Sequence, residues 1–178
     1  MPEFILDTAG RVPIAHAEHI MGATLAFDNL DAFTQGYIEA LFFTSECPQV
    51  DTEEFWTPEF QEDMREGRAD GVLPCDVGFG DLSPEALQSI IADCRDFQEA
   101  NAALLGQAYE TVREYTCGHY DPTYDASQAG RDFWFTRNGH GVGFWDRGLG
   151  EVGEKLSKAC GRTEIDPYFG EDGRVHLD

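Results

Sequence analysis

The chain has 178 residues, 42% of them hydrophobic with 13 Phe, 6 Tyr and 3 Trp, and its 34 acidic against 12 basic side chains leave a formal charge of −22. That length and apolar content fit one folded domain over residues 1–178 and exclude wholesale disorder, while the sign of the charge argues against direct binding to nucleic acid or to anionic membrane surfaces. No run of about 18 apolar residues is present, and the start Met1-Pro2-Glu3-Phe4 lacks the pattern of a secretory signal, so a cytoplasmic location is expected.

In chain order, Phe4-Ile5-Leu6 reads as a short strand, Thr8-Ala9-Gly10 as a turn and Val12-Pro13-Ile14 as an extended piece. From Asp31 to Thr44, Phe33, Tyr37, Ile38, Leu41 and Phe42 recur at helical spacing despite Gly36, with Asp31 as cap and Leu30 ahead of it. Residues 46–82 form an acidic segment rich in loop formers, with a short helix near 57–66. Ser83-Pro84-Glu85-Ala86 has the chemistry of a helix start: a capping hydroxyl, proline in the first turn and an acid at the positive end of the dipole. The following Leu87, Ile90, Ile91, Cys94, Phe97, Leu104, Leu105, Ala108 and Val112 stay on one arc and predict a single long helix if Gly106 does not break it.

After a turn-rich stretch from Cys117 to Gly130, the aromatic segments 132–136 and 142–145 read as strands joined by Arg137-Asn138-Gly139-His140-Gly141, a hairpin turn supplied with glycines. Leu149, Val152, Leu156 and Ala159 predict a helix closed by Gly161, and Tyr168-Phe169 with Val175-His176-Leu177 a last hairpin around Glu171-Asp172-Gly173. The expected class is α+β: amphipathic helices, one of them long, packed with a small antiparallel sheet of hairpins in the C-terminal half.

The charge is uneven, at −17 over residues 1–100 and −5 over residues 101–178. Glu53, Glu54, Glu59, Glu62, Asp63, Glu66 and Asp70 in the acidic segment, with Asp96, Glu99, Glu110 and Glu114 on the outer arc of the long helix, make a candidate partner-binding surface. A rigid array of carboxylates has the sign of duplex DNA, which carries about one negative charge per 1.7 Å of axis, and would occupy the basic groove of a DNA-handling protein. The plainer explanation of such charge is solubility.

A second candidate is the segment around His140, where Trp134, Arg137 and Trp145, with Arg147 beyond, could hold a small anionic ligand; its plainer explanation is a glycine turn with core aromatics. Cys117, His119 and Asp121, and His16 with His19, fall short of a zinc ligand set, and Cys117 with His119 lacks the third group of a nucleophilic triad. Five cysteines, odd in number and widely spaced, fit reduced packing residues. No catalytic residue, cofactor or metal site is assigned.

The segment Ala129-Gly130-Arg131-Asp132-Phe133-Trp134-Phe135-Thr136-Arg137-Asn138-Gly139-His140-Gly141-Val142-Gly143-Phe144-Trp145-Asp146-Arg147-Gly148 resembles a signature of small uncharacterised bacteriophage and prophage proteins. Residues 82–87, 98–105 and 170–175 are similar to the same group, so the resemblance spans about the last 100 residues. It implies a phage origin and carries no activity. The expectation is therefore a non-enzymatic inhibitor that sets an acidic surface against a host protein with a basic, nucleic-acid-binding face. The alternatives are a ligand-binding module or enzyme built on the His140 segment, and a phage structural or assembly protein.

Overall fold

The computed structural model describes residues 27–45, 58, 62, 72–74, 77–111 and 123–178. Among these the chain is mostly helical, with α1 (Ala32–Ser45), α2 (Pro84–Ala100), α3 (Ala102–Glu110), α4 (Ala126–Arg137) and α5 (Glu151–Cys160). One small antiparallel sheet pairs β1 (Pro167–Phe169) with β2 (Val175–Leu177), a content compatible with the α+β class. Contacts divide the chain into two compact units, one of Asp31–Ala40 with Ile90–Glu164 and one of Met1–Leu30, Leu41–Ser89 and Ile165–Asp178.

In the first of these units α1 begins at Asp31, whose Oδ1 accepts from the backbone N–H of Phe33 and Thr34, both at 3.1 Å, as the sequence predicts for its cap. Its buried Phe33 and Tyr37 meet Phe133 and Trp134 of α4 in a set of ring contacts 5.2 to 5.8 Å between centroids. Two glycines permit that approach. A Cβ on Gly36 would overlap the carbonyl oxygen of Ser127, and one on Gly130 would overlap that of Phe33. Phe97 of α2 extends the cluster, stacking on Phe133 at 4.2 Å and on Phe144 at 5.7 Å. The turn Phe144–Asp146 in turn carries α5, where a Cβ on Gly153 would overlap the Phe144 carbonyl oxygen.

The other unit holds the chain's short strands. β1 and β2 pair in the register Pro167↔Leu177, Tyr168↔His176 and Phe169↔Val175, turning through Gly173 at φ 74°. Leu82 forms a parallel bridge to buried Val175, and the Ser83 N–H donates to the Val175 carbonyl at 2.8 Å. The Ser83 hydroxyl also accepts from the Ala86 N–H at 3.1 Å, which is the predicted cap of α2. Phe27 meets Phe79 edge-on at 5.4 Å in the same unit.

The predicted 132–145 hairpin is absent. Asp125 caps α4 through the Gln128 N–H at 2.7 Å, and Ala129, Gly130, Phe133, Trp134 and Arg137 repeat at helical spacing on its buried side. The Asn138-Gly139 pair ends this helix instead of turning a hairpin: Gly139 sits at φ 68°, its N–H reaches Thr136 O at 3.4 Å, and the His140 N–H reaches Phe135 O at 3.1 Å. These paired bonds are the six-to-one and five-to-two closures of a glycine-terminated helix, so the positive φ that suggested a strand turn serves a helix end. Phe144 and Trp145 lie in the short 3-10 turn Phe144–Asp146.

The predicted long helix is divided at Asn101, which leaves helical geometry at φ −117° and ψ 19° while its N–H still bonds Phe97 O at 3.0 Å. Gly106 lies inside α3 without breaking it. The helices expected at 31–44 and 149–159 and the final hairpin are present as α1, α5 and β1–β2. Within the expected helix near 57–66, Pro58 and Glu62 are helical; its remaining residues, and the strand and turn expected at 4–14, lie outside the described residues.

Because backbone atoms block both glycine sites, Gly36→Ala and Gly130→Ala are each expected to cost about 2 kcal/mol or more. Gly106→Ala, with nothing within 4 Å of its added methyl, is expected to stabilise by about 0.5 kcal/mol. Urea denaturation of the three variants checks the contrast; equal effects at all three positions would contradict it.

Candidate functional site

Six cations of the described structure are paired with carboxylates, Arg131, Arg137 and Arg147 at buried or partly buried positions and Arg95, Lys155 and Arg162 on the surface. Arg137, the last residue of α4, is buried at 7% exposure, and its guanidinium is held by the Asp93 carboxylate at 2.9 Å, the Tyr37 hydroxyl at 3.1 Å and the Thr163 carbonyl at 3.3 Å. It also lies 5.2 Å from the centre of the Phe133 ring, a cation–π distance. Arg147 donates to Asp132 at 2.8 Å, Arg131 pairs with Glu39, Arg95 with Asp96, Lys155 with Glu151 and Arg162 with Glu164.

Asp132 is the most enclosed of these charges, with no solvent exposure. Besides Arg147, it accepts from the Tyr124 hydroxyl at 2.9 Å and from the Gln128 amide at 3.2 Å. Burial raises the Asp132 carboxyl above its ordinary value, opposed by the Arg147 charge and by these hydrogen bonds. Three donors on one buried carboxylate satisfy it as a structural tie. Such a pair loses more from removal of one partner than it adds as a whole.

The residues of the candidate ligand segment around His140 differ in burial and in partners. Trp134 is buried at 1% exposure and Trp145 is 54% exposed, so the two indoles do not share an environment. His140 is exposed, with its ring near Trp134 at 6.2 Å and edge-on to Phe135 at 6.1 Å. Arg137 points its bonded nitrogens at Asp93, Tyr37 and Thr163. The structure brings the His140 ring to Trp134, while Arg137 spends its hydrogen bonds on Asp93, Tyr37 and Thr163.

Of the candidate acidic surface, Asp96 and Glu99 are exposed on α2 and Glu110 is exposed on α3. Asp96 and Glu99 stand three residues apart, the spacing at which helix side chains are neighbours. Neither Glu99 nor Glu110 has an ion-pair partner among the described residues, whereas Asp96 is bridged by Arg95 at 2.8 Å, itself an exposed pair of little strength. Glu62 is exposed on its helical turn. Glu53, Glu54, Glu59, Asp63, Glu66, Asp70 and Glu114 lie outside the described residues, as do Cys117, His119, Asp121, His16 and His19.

An open groove of about 280 Å³ lies in the same unit, lined by Asp93, Asp96, Phe97, Ala100 and Asn101 at the end of α2, Phe133 and Arg137 of α4, Ala159 and Cys160 of α5, and Thr163. The sequence reading named Asp96 and Arg137 for separate candidates and missed the groove that joins them, because Asp93 and Arg137 stand 44 residues apart. The available signal was the helical spacing of Asp93 and Asp96, three residues apart on one face.

Thiol chemistry finds no support at the described cysteines. Cys160 is pushed up to about 12 by burial, and burial raises Cys94 as well, so both stay protonated at neutral pH and are poor nucleophiles. Among the described residues no group of three or more His, Cys, Asp or Glu is placed to hold a metal ion, and no helix is long and apolar enough to cross a membrane. The chain matches no protein-family model, no curated protein and no solved structure.

Arg147→Met is expected to destabilise by about 3 kcal/mol or more, since it leaves the enclosed Asp132 carboxylate without its cation. That deficit should narrow as pH falls and Asp132 takes up a proton, which thermal melts of variant and parent across acidic pH would show; a deficit independent of pH would count against the network. His140 gives the opposite slope. Burial lowers it below the ordinary 6.5, so the unfolded chain is protonated first, and its contribution is present above pH 6.5 and lost as pH falls through the lowered value. His140→Phe, which keeps a ring beside Trp134, should therefore lose less stability than the parent between neutral and mildly acidic pH.

Proposed function

We propose that this chain acts as a non-enzymatic inhibitor of phage type that presents its carboxylates to the basic, nucleic-acid-binding face of a host protein, in the cytoplasm of the host cell. The observation that carries the reading is the distribution of charge: −22 overall, with Arg131, Arg137 and Arg147 drawn into internal pairs while Glu99 and Glu110 stand exposed and unpaired among the described residues. Each such pair withdraws one positive and one negative charge together, so the outward field keeps the sign set by the net charge of −22. A negative field of this size steers a basic partner toward the surface and repels nucleic acid and anionic lipid.

The helical placement of Asp96 and Glu99 adds to that reading. Residues three apart on a helix advance about 4.5 Å along its axis, comparable with the 3.4 Å rise between phosphates on one DNA strand. A groove evolved to hold phosphates would meet carboxylates at a similar step, without bases to read and without a backbone to cut.

The test is affinity capture of tagged protein from host lysate at low and high salt, followed by a binding isotherm with the captured partner. Capture should fall steeply with salt, because exposed charges are screened beyond about 8 Å at physiological ionic strength. The triple reversal Asp96→Lys, Glu99→Lys and Glu110→Lys should weaken the interaction tenfold or more at low salt. Salt-independent capture, or a triple variant of unchanged affinity, would remove the charge from the account. Binding lost instead on His140→Ala and retained by the triple variant would move the function to the His140 segment.

A further inference from the structure

We infer that the groove at the ends of α2, α4 and α5 is a socket for a guanidinium or ammonium side chain carried by a basic protein partner. This deepens the function proposed above and rests on it for the identity of the partner. Asp93 and Asp96 line the groove, and α4 and α5 reach it with their C-terminal residues Arg137 and Cys160, the negative ends of their dipoles. The chain already shows what such a place accepts. Its own Arg137 lies against the groove floor and donates to Asp93 Oδ2 and to the Thr163 carbonyl.

That internal cation uses only part of the available acceptors. Asp93 is bonded through Oδ2, and its side chain keeps 38% exposure; Asp96 is bonded through Oδ1, by an exposed arginine that can swing aside. Among the described residues no hydrogen bond reaches the other oxygen of either carboxylate. Beneath them Phe97 and Phe133 stack at 4.2 Å, giving an apolar floor for methylene groups and a ring face for a cation. At about 280 Å³ the space sits at the lower limit for small-ligand pockets, the scale of one side chain instead of a nucleotide or a cofactor. Arg137 leaves the lining with one net negative charge in place of two, so the socket selects a monocation held by several contacts over a bare ion held by charge alone.

The experiment is a titration of the full ¹⁵N-labelled chain with Nα-acetyl-arginine amide, followed by amide chemical shifts, with the citrulline analogue as neutral isostere and putrescine as free diamine. The arginine probe should saturate, with the largest shifts at Asp93, Asp96, Asn101 and Thr163, and the citrulline probe should bind at least about tenfold more weakly, the ratio that about 1.4 kcal/mol represents. Asp96→Asn should weaken the arginine probe about fivefold. Ala159→Trp, at an exposed rim position, should block it while the melting temperature stays near that of the parent. Shifts spread over carboxylates elsewhere without saturation, equal binding of the citrulline probe, or tighter binding of putrescine would overturn the inference. If Ala159→Trp loses the probe yet captures the host partner with unchanged affinity, the socket does not serve that partner and the inference falls while the acidic-surface reading stands. Salt-independent capture would bring down that reading whatever the groove binds.

Discussion

The close approach of α1 and α4 is the constraint on which the unit containing the groove depends. Gly36 lies against the Ser127 carbonyl and Gly130 against the Phe33 carbonyl, so each helix presents bare backbone to the other. Glycine inside a helix costs roughly 1 kcal/mol in propensity, and two of them are tolerated here because the approach brings Phe33 and Tyr37 onto Phe133 and Trp134. The same approach brings the Tyr37 hydroxyl to Arg137, whose other bonds reach Asp93 and Thr163. Helix packing, an aromatic cluster and the placement of a buried cation thus follow from two missing side chains.

Burial of cations has a second consequence, on the surface. Arg131, Arg137 and Arg147 each find a carboxylate from elsewhere in the fold, and each pairing removes a positive charge from the exterior. Each pairing takes a carboxylate with it, so the acidic excess facing water is the one set by the composition. The buried pairs need not add stability relative to apolar replacements, but they set the geometry of α4. The groove lies where these two themes meet, with one internal cation at its floor and two carboxylates at its rim.

Local chemistry was legible in the sequence where one residue type has one use. Asp31 and Ser83 cap helices as their positions imply, Phe33, Tyr37, Ile38 and Leu41 of α1, Leu87, Ile90, Cys94 and Phe97 of α2 and Leu156 of α5 are buried, and Glu171-Asp172-Gly173 lies between two strands. Segment 132–145 was misread because its aromatics and its Asn-Gly pair suit either structure. Asp125 and Gln128, three apart, carried the helix-start signal that decides it, and buried spacing at Ala129, Phe133, Trp134 and Arg137 agrees. Asn101 divides the long helix without any proline or glycine at that position to announce the break. Of the groove only the i,i+3 spacing of Asp93 and Asp96 was legible, and of the ion pairs across the fold nothing, since Arg137 and Asp93, or Arg131 and Glu39, are joined only by the fold. Gly36, adverse to a helix by propensity alone, and Gly130, expected in a turn, are instead where α1 and α4 touch.

The proposed role has the carboxylate surface taking the place of nucleic acid on a basic host protein. Competition on the captured partner tests it most directly: partner bound to a fluorescent DNA duplex is titrated with this protein, and the duplex signal is followed at fixed low salt. The account predicts displacement to completion, with an apparent affinity that falls as duplex concentration rises. Formation of a ternary complex, with duplex and protein bound together at saturation, would contradict it.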